Sequence, residues 1–234
     1  TCFTEESDTT HDSIAIANAG DINSDGFDDI LIGSRQSISS DKYTKTYLIY
    51  GQSSHISSAN LSEVGSSISG ATYRSEKGEI HITLSGAGDV NNDGHDDFLI
   101  GASGYEYADD EGITYLIYGN GTKFSGDFYL SQVGDTSAPF YNVKGASFVG
   151  ASESDTGSYV SSAGDFNGDG IDDFLIGASK YHVSSSNKRS GKTYLIFGRK
   201  QAKEHLGSYN LDSALFTTWY SMSFEGSHTN EYSG

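Results

Sequence analysis

The chain has 234 residues, with 32 Asp and Glu against 14 Lys and Arg, a formal net charge of −18, one Pro and one Cys. That length suits one all-β domain spanning residues 1–234. That charge repels nucleic acid and anionic membranes, so neither a nucleic-acid partner nor membrane insertion is expected.

Taken in order, the chain repeats itself. The stretch from Phe3 resembles the one from Phe148, and both run into ESDT. A first acidic loop and apolar run, AGDINSDGFDDILIGS, fills residues 19–34, and the polar SRQSISSDKYTK (34–45) reads as a loop. TYLIYG (46–51), LSEVG (61–65) and ISG (68–70) follow as short apolar segments. The second unit has GAGDVNNDGHDDFLIGAS (86–103), the loop YEYADDEG (105–112), TYLIYG (114–119), LSQVG (130–134) and VKG (143–145). The third has SAGDFNGDGIDDFLIGAS (162–179), KYHVSSSNKRSG (180–191), TYLIFG (193–198), a looser YNLDSAL (209–215) and FEG (224–226). Phe224 onward repeats the phase of the start, and both termini read as cuts through a continuing array. The expectation is therefore a segment of a longer chain.

Helical periodicity is absent. Each unit carries four short apolar segments between Gly, Ser and Asp turns, which predicts four strands. In TYLIYG, Tyr47 and Ile49 point one way while Leu48 and Tyr50 point the other. A sheet that is apolar on both faces must be sandwiched by neighbours, and four-stranded sheets stacked so are propeller blades.

The acidic loops carry the chemistry. Counted from the first Asp, position 1 is Asp21, Asp89 or Asp165, and position 3 is Asn23, Asn91 or Asn167. Position 5 is Asp25, Asp93 or Asp169, position 6 is Gly26, Gly94 or Gly170, and position 9 is Asp29, Asp97 or Asp173. Position 7 (Phe27, His95, Ile171) can offer a backbone carbonyl. A hard cation such as Ca2+ takes six to eight oxygens, and a mid-loop Gly lets the chain turn sharply around it. One ion per repeat, three in total, is predicted. Asp/Asn/Gly clusters are also plain turn formers, but the same types at the same positions three times favour ligands. The position-8 residues Asp28, Asp96 and Asp172 are better suited to capping backbone N–H groups than to touching an ion. A helix-flanked calcium loop is rejected, because it needs Glu at position 12, where Ile32, Ile100 and Ile176 stand, and the residues that follow are strand formers.

These residues resemble the FG-GAP repeat, which builds the seven-bladed β-propeller of integrin α subunits and related surface proteins. The resemblance covers nearly the whole chain and implies an all-β fold of about three blades, each of four antiparallel strands, within a larger propeller. It also implies calcium at positions 1, 3, 5, 7 and 9 of each loop. Two departures stand out: Ser103 and Ser179 replace the Pro of the family's GAP, and position 3 is Asn where Asp is frequent.

No further chemistry competes well. The seven His form no zinc pattern and no nucleophile motif occurs. The neighbouring carboxylates Asp28 and Asp29 could suggest a glycosidase, but their recurrence inside a metal loop favours a structural role, so no enzyme is expected. Cys2 permits no intrachain disulfide. No run is long enough to span a membrane, and TCFTEESDTT is not a signal peptide. Asn60 and Asn120 begin glycosylation sequons and read as loop residues. The leading expectation is an extracellular or cell-surface adhesion or protein-interaction module. It would bind a protein or matrix ligand, or other copies or chains completing the propeller. The alternatives are a subunit of an extracellular filament and a carbohydrate-binding or polysaccharide-acting propeller.

Overall fold

A computed structural model describes residues 3–4, 14–38, 41–54, 58–75, 81–104, 111–135, 143–182, 189–200, 206–213, 219 and 221–227. In chain order the strands are β1 (Phe3–Thr4), β2 (Ile14–Gly20), β3 (Asp29–Ile38), β4 (Asp41–Ile49), β5 (Ala59–Asn60) and β6 (Gly70–Arg74). Next come β7 (His81–Gly88), β8 (Asp97–Ser103), β9 (Ile113–Ile117), β10 (Gly126–Tyr129) and β11 (Gly145–Val149). Then follow β12 (Thr156–Gly164), β13 (Asp173–Ala178), β14 (Lys192–Ile196), β15 (Gly207–Asn210) and β16 (Ser221–Glu225).

Three antiparallel four-stranded sheets result, β2-β3-β4-β6, β7-β8-β9-β11 and β12-β13-β14-β16. These are the three blades. Each of the first two gains a parallel fifth strand on its outer edge from the following unit, β10 on β6 and β15 on β11. β1 pairs with β5 in the same parallel sense. A strand lent by the next unit couples blades through backbone hydrogen bonds as well as side chains.

The apolar runs fold as they do because both faces are covered. Every residue of β8 is buried. One core lies between blades one and two, where Tyr73 meets Phe98 edge-on at 5.6 Å and stacks on Phe128 at 5.5 Å. The core between blades two and three repeats the arrangement, with Phe148 edge-on to Phe174 at 5.6 Å and stacked on Tyr209 at 5.9 Å. Offset and edge-on aromatic pairs of this kind add about 0.5–1.5 kcal/mol each beyond the area they bury. Ile22 and Val90 are buried by the blade that follows theirs, whereas their counterpart Phe166 in the third blade is 61% exposed.

The number of strands per blade agrees with the sequence, but their membership differs. The first strand of each blade, β2, β7 and β12, precedes the acidic loop and was not among the four expected segments. It is rich in Gly, Ala, Ser and Thr because neighbouring blades approach closely there: a Cβ on Gly86 would lie 2.9 Å from the Asn18 carbonyl oxygen. LSEVG and LSQVG contain 3-10 turns, Leu61–Glu63 and Leu130–Gln132, instead of strands. ISG and VKG end where the outer strands begin, at Gly70 and Gly145, while FEG closes β16. Phe224 lies opposite Thr193 as Phe148 lies opposite Thr114 and Tyr73 opposite Thr46, so FEG is out of register with the other two. SRQSISSDKYTK is mostly hairpin, with β3 and β4 paired as far as Ile38 and Asp41. Residues 105–110 and 183–188 of the other two variable stretches, Asp109 and Asp110 among them, lie outside the described residues. No helix among the described residues is long and apolar enough to cross a membrane.

Candidate metal centre

Each acidic loop joins the first strand of a blade to its second. The three loops share one set of hydrogen bonds, built by the aspartates on their own backbone. The position-1 carboxylate accepts from the N–H groups of positions 5 and 6: Asp25 and Gly26 donate to Asp21 at 3.0 and 2.8 Å, Asp93 and Gly94 to Asp89 at 3.0 and 2.8 Å. Asp169 and Gly170 donate to Asp165, both at 2.9 Å. The position-5 carboxylate accepts from position 7, with Phe27, His95 and Ile171 donating to Asp25, Asp93 and Asp169 at 3.1, 3.1 and 3.0 Å. Gly26, Gly94 and Gly170 have φ of 88°, 91° and 86°, the left-handed turn that a mid-loop glycine makes cheap.

The position-9 carboxylate lies beneath the turn and ties it to the blade. Asp29 accepts from Ile22 N–H at 3.0 Å and Gly51 N–H at 2.8 Å, and Asp97 from Val90 at 3.0 Å and Gly119 at 2.8 Å. Asp173 accepts from Phe166 at 2.9 Å and Gly198 at 2.8 Å. The last glycine of each TYLIYG-type strand is thus part of the site. The signal for it was present, since that Gly recurs in all three units.

Position 8 reaches across the blade boundary. Asp96 Oδ2 accepts the backbone N–H of Asp21 at 2.8 Å, and Asp172 Oδ2 that of Asp89 at 3.0 Å. A Cβ on Gly20 or Gly88 would lie 2.2 Å from these carboxylate oxygens, so the preceding glycine makes room for the contact. The capping role expected of position 8 holds for Asp96 and Asp172, and the N–H it caps belongs to the neighbouring loop. Side chains reinforce the contact: Ser24 Oγ donates to the Gly94 carbonyl at 2.6 Å and lies 2.8 Å from His95 Nδ1. The His95 imidazole is therefore a link between loops. The adjacent carboxylates Asp96 and Asp97 serve separate backbone groups, one in each of two blades.

Burial and mutual repulsion load these carboxylates. Burial pushes Asp29 up to about 6 against the N–H groups that favour its ionised form, and Asp25 and Asp21 add repulsion. Burial drives Asp97 well above the usual carboxylate range and raises Asp173. Asp96 is raised by burial too, with Asp172, Asp89 and Asp21 as repelling neighbours. The hydrogen bond from Lys123 instead lowers Asp25, and the ammonium lies 2.8 Å from Asp25 Oδ2.

Two observations test whether a hard cation fits. Asn91 at position 3 is buried, and neither its Oδ1 nor its Nδ2 has a partner among the described residues. A buried amide without partners beside carboxylates matches an oxygen ligand in want of a cation. At the first loop the Lys123 ammonium already stands in for one. Among the described residues no three acidic, His or Cys side chains are drawn together as a metal-holding group. The aspartates here accept from backbone N–H groups, and a cage would need the Asn amide oxygen and the position-7 carbonyl as well. That oxygen-only donor set fits Ca2+.

Asn60 and Asn120 are both used locally. Asn120 Oδ1 accepts from Thr122 N–H at 2.9 Å, while Asn60 ends β5 rather than lying in a loop and accepts from Ser62 N–H at 3.0 Å.

The FG-GAP repeat family model matches residues 83–117 and 157–196. Those two stretches are FG-GAP repeats. The two matches run from β7 to β9 and from β12 to β14, so each contains an acidic loop with the strands on either side. The first unit lies outside the matched residues, yet shows the same strand order and loop hydrogen bonds. FG-GAP repeats build β-propeller-type protein-interaction modules, and the three stacked blades conform to that architecture. No curated protein matches the chain.

Proposed function

We propose that this chain is a calcium-binding β-propeller module of an extracellular or cell-surface protein, serving adhesion or protein–protein interaction. The observation that carries the reading is the unpartnered, buried amide of Asn91 inside a thrice-repeated loop of aspartates. The proposed ligands are Asp21, Asn23, Asp25, Phe27 carbonyl and Asp29; Asp89, Asn91, Asp93, His95 carbonyl and Asp97; and Asp165, Asn167, Asp169, Ile171 carbonyl and Asp173. Bound Ca2+ supplies positive charge to carboxylates that otherwise repel one another.

The role is structural. The loops join strands within a blade and touch across blade boundaries, so calcium binding becomes folding free energy. The interaction surface would be offered by the stretches that differ most in sequence between the units, those joining the second and third strands of each blade. No catalytic step belongs to this reading. The extracellular assignment rests on the FG-GAP repeats and on the match between millimolar external calcium and weak-to-moderate sites.

Thermal denaturation with calcium and with chelator tests the structural half. One site at a hundredfold excess of ligand over Kd adds about 2.7 kcal/mol, and several sites add more. An identical Tm in chelator and in millimolar calcium would remove the reading. Surface plasmon resonance on immobilised extracellular-matrix proteins tests the interaction half, with chelator-reversible retention expected.

A further inference from the structure

The three loops have the same ligand types but different neighbours at position 5. At the first loop, Lys123 Nζ lies 2.8 Å from Asp25 Oδ2 and 5.0 Å from the centre of the Tyr50 ring. Lys123 comes from the connection between β9 and β10, in the second blade's unit, and reaches back to the first blade. Its backbone is held in place. Asn120 N–H donates to the Ile22 carbonyl at 3.0 Å, and the Asn120 side chain closes the turn onto Thr122. Phe124 is buried beside Tyr73 and Phe128, and its N–H donates to Tyr50 Oη at 2.6 Å. The ammonium is thus delivered to Asp25 over an aromatic face by an anchored segment, an arrangement that favours a cation there.

The other loops differ. At the third, Asp169 Oδ2 receives the Asn167 amide at 2.9 Å, and at the second, Asp93 has no ion pair among the described residues.

We infer that Lys123 is a built-in competitor for the cation of the first loop, so that the three loops take up calcium unequally and the first fills last. This rests on the calcium reading above. Loading the first loop means moving the ammonium off Asp25, which also removes a positive charge from beside the incoming ion. Lys123 is then released, and the connection carrying it loses a tether to the first blade. The competition is electrostatic and partly exposed, so it weakens as ionic strength rises.

Calorimetric calcium titration of the whole chain and of Lys123→Gln tests this at low salt. Wild type is expected to show two tighter sites and one weaker. Lys123→Gln should tighten the weak site about two- to fivefold and leave the other two unchanged, while Lys123→Arg should keep the wild-type pattern. A second readout needs no variant: in reductively 13C-methylated wild-type protein, the Lys123 NMR signal should move at the weakest binding step. Three equal sites unaffected by Lys123→Gln, or a Lys123 signal indifferent to calcium while binding proceeds, would overturn the inference and leave the calcium reading standing. Absence of any binding heat in all three proteins would overturn both.

Discussion

Asp96 Oδ2 and the backbone nitrogen of Asp21 lie 2.8 Å apart, on opposite sides of a blade boundary. The bond is charge-assisted and partly buried, and Asp172 repeats it onto Asp89 at 3.0 Å. The acidic loops therefore form a chain of contacts in which each second-blade or third-blade loop caps the one before it. Asp28, the first-blade counterpart, is exposed.

Removing that bond should cost more than removing the same residue where it is idle. Asp96→Ala or Asp172→Ala leaves a backbone N–H unpaired and should lower stability by about 1–3 kcal/mol. Asp28→Ala should stay within about 0.5 kcal/mol of wild type. Urea denaturation of the three variants checks this, and equal losses would mean the cross-blade bond contributes nothing.

Gly88 and Gly164 occupy the same place in successive blades, with φ of 76° and 60°. A Cβ on Gly88 would collide with Asp172, whereas Gly164 has nothing within 4 Å. Gly164→Ala should therefore show only the left-handed strain of an L residue, about 1–2 kcal/mol. Gly88→Ala should add the lost Asp172 contact, for about 2–5 kcal/mol in total. The difference in urea midpoints measures the contact.

These two contrasts show what the sequence could disclose. The loop's turn was legible because its Asp, Asn and Gly sit in one contiguous stretch, from Asp21 to Asp29, and the carboxylates that close it on its own backbone need that spacing wherever it folds. The blade was legible from FLIG and YLIY, which are apolar on both faces. The cross-blade bond was not, since Asp21 and Asp96 are 75 residues apart and only the packing of two sheets brings them together. The strand HITLSGAG was missed because close approach of its neighbours selects small residues, which look like a turn when read alone. The register of FEG was misplaced for a related reason: a three-residue match is too short to separate the strand of Phe224 from the turn before Gly70.

Asn91→Leu should have opposite effects in the two calcium states. Without calcium it removes a buried amide that has no partner and should stabilise by on the order of 1 kcal/mol. With calcium it removes a ligand, so the calcium-dependent rise in Tm should shrink by about a third, one site of three. Melting curves in both conditions check it, and a variant that gains as much from calcium as wild type would take Asn91 out of the ligand set.

The pH dependence of the chelated protein follows from the raised carboxylates. An ionised Asp29 is less comfortable folded than unfolded, so its stabilising contribution is complete below 3.8 and is lost as pH rises through about 6. Asp97 and Asp173 shift the same way. Asp25 shifts oppositely, but its contribution is present above 3.8 and fades only at lower pH. In chelator the protein should thus melt higher at pH 5 than at pH 8. Calcium should reverse that order, because it binds the ionised carboxylates.

Native mass spectrometry of the whole chain, sprayed from a buffer containing calcium, tests the account most directly because it counts ions on the folded protein. The expected result is a folded charge-state series carrying three Ca2+, falling to two when Asp93→Ala removes a ligand from the second loop. A folded chain that carries no calcium above the level of random adducts would contradict it.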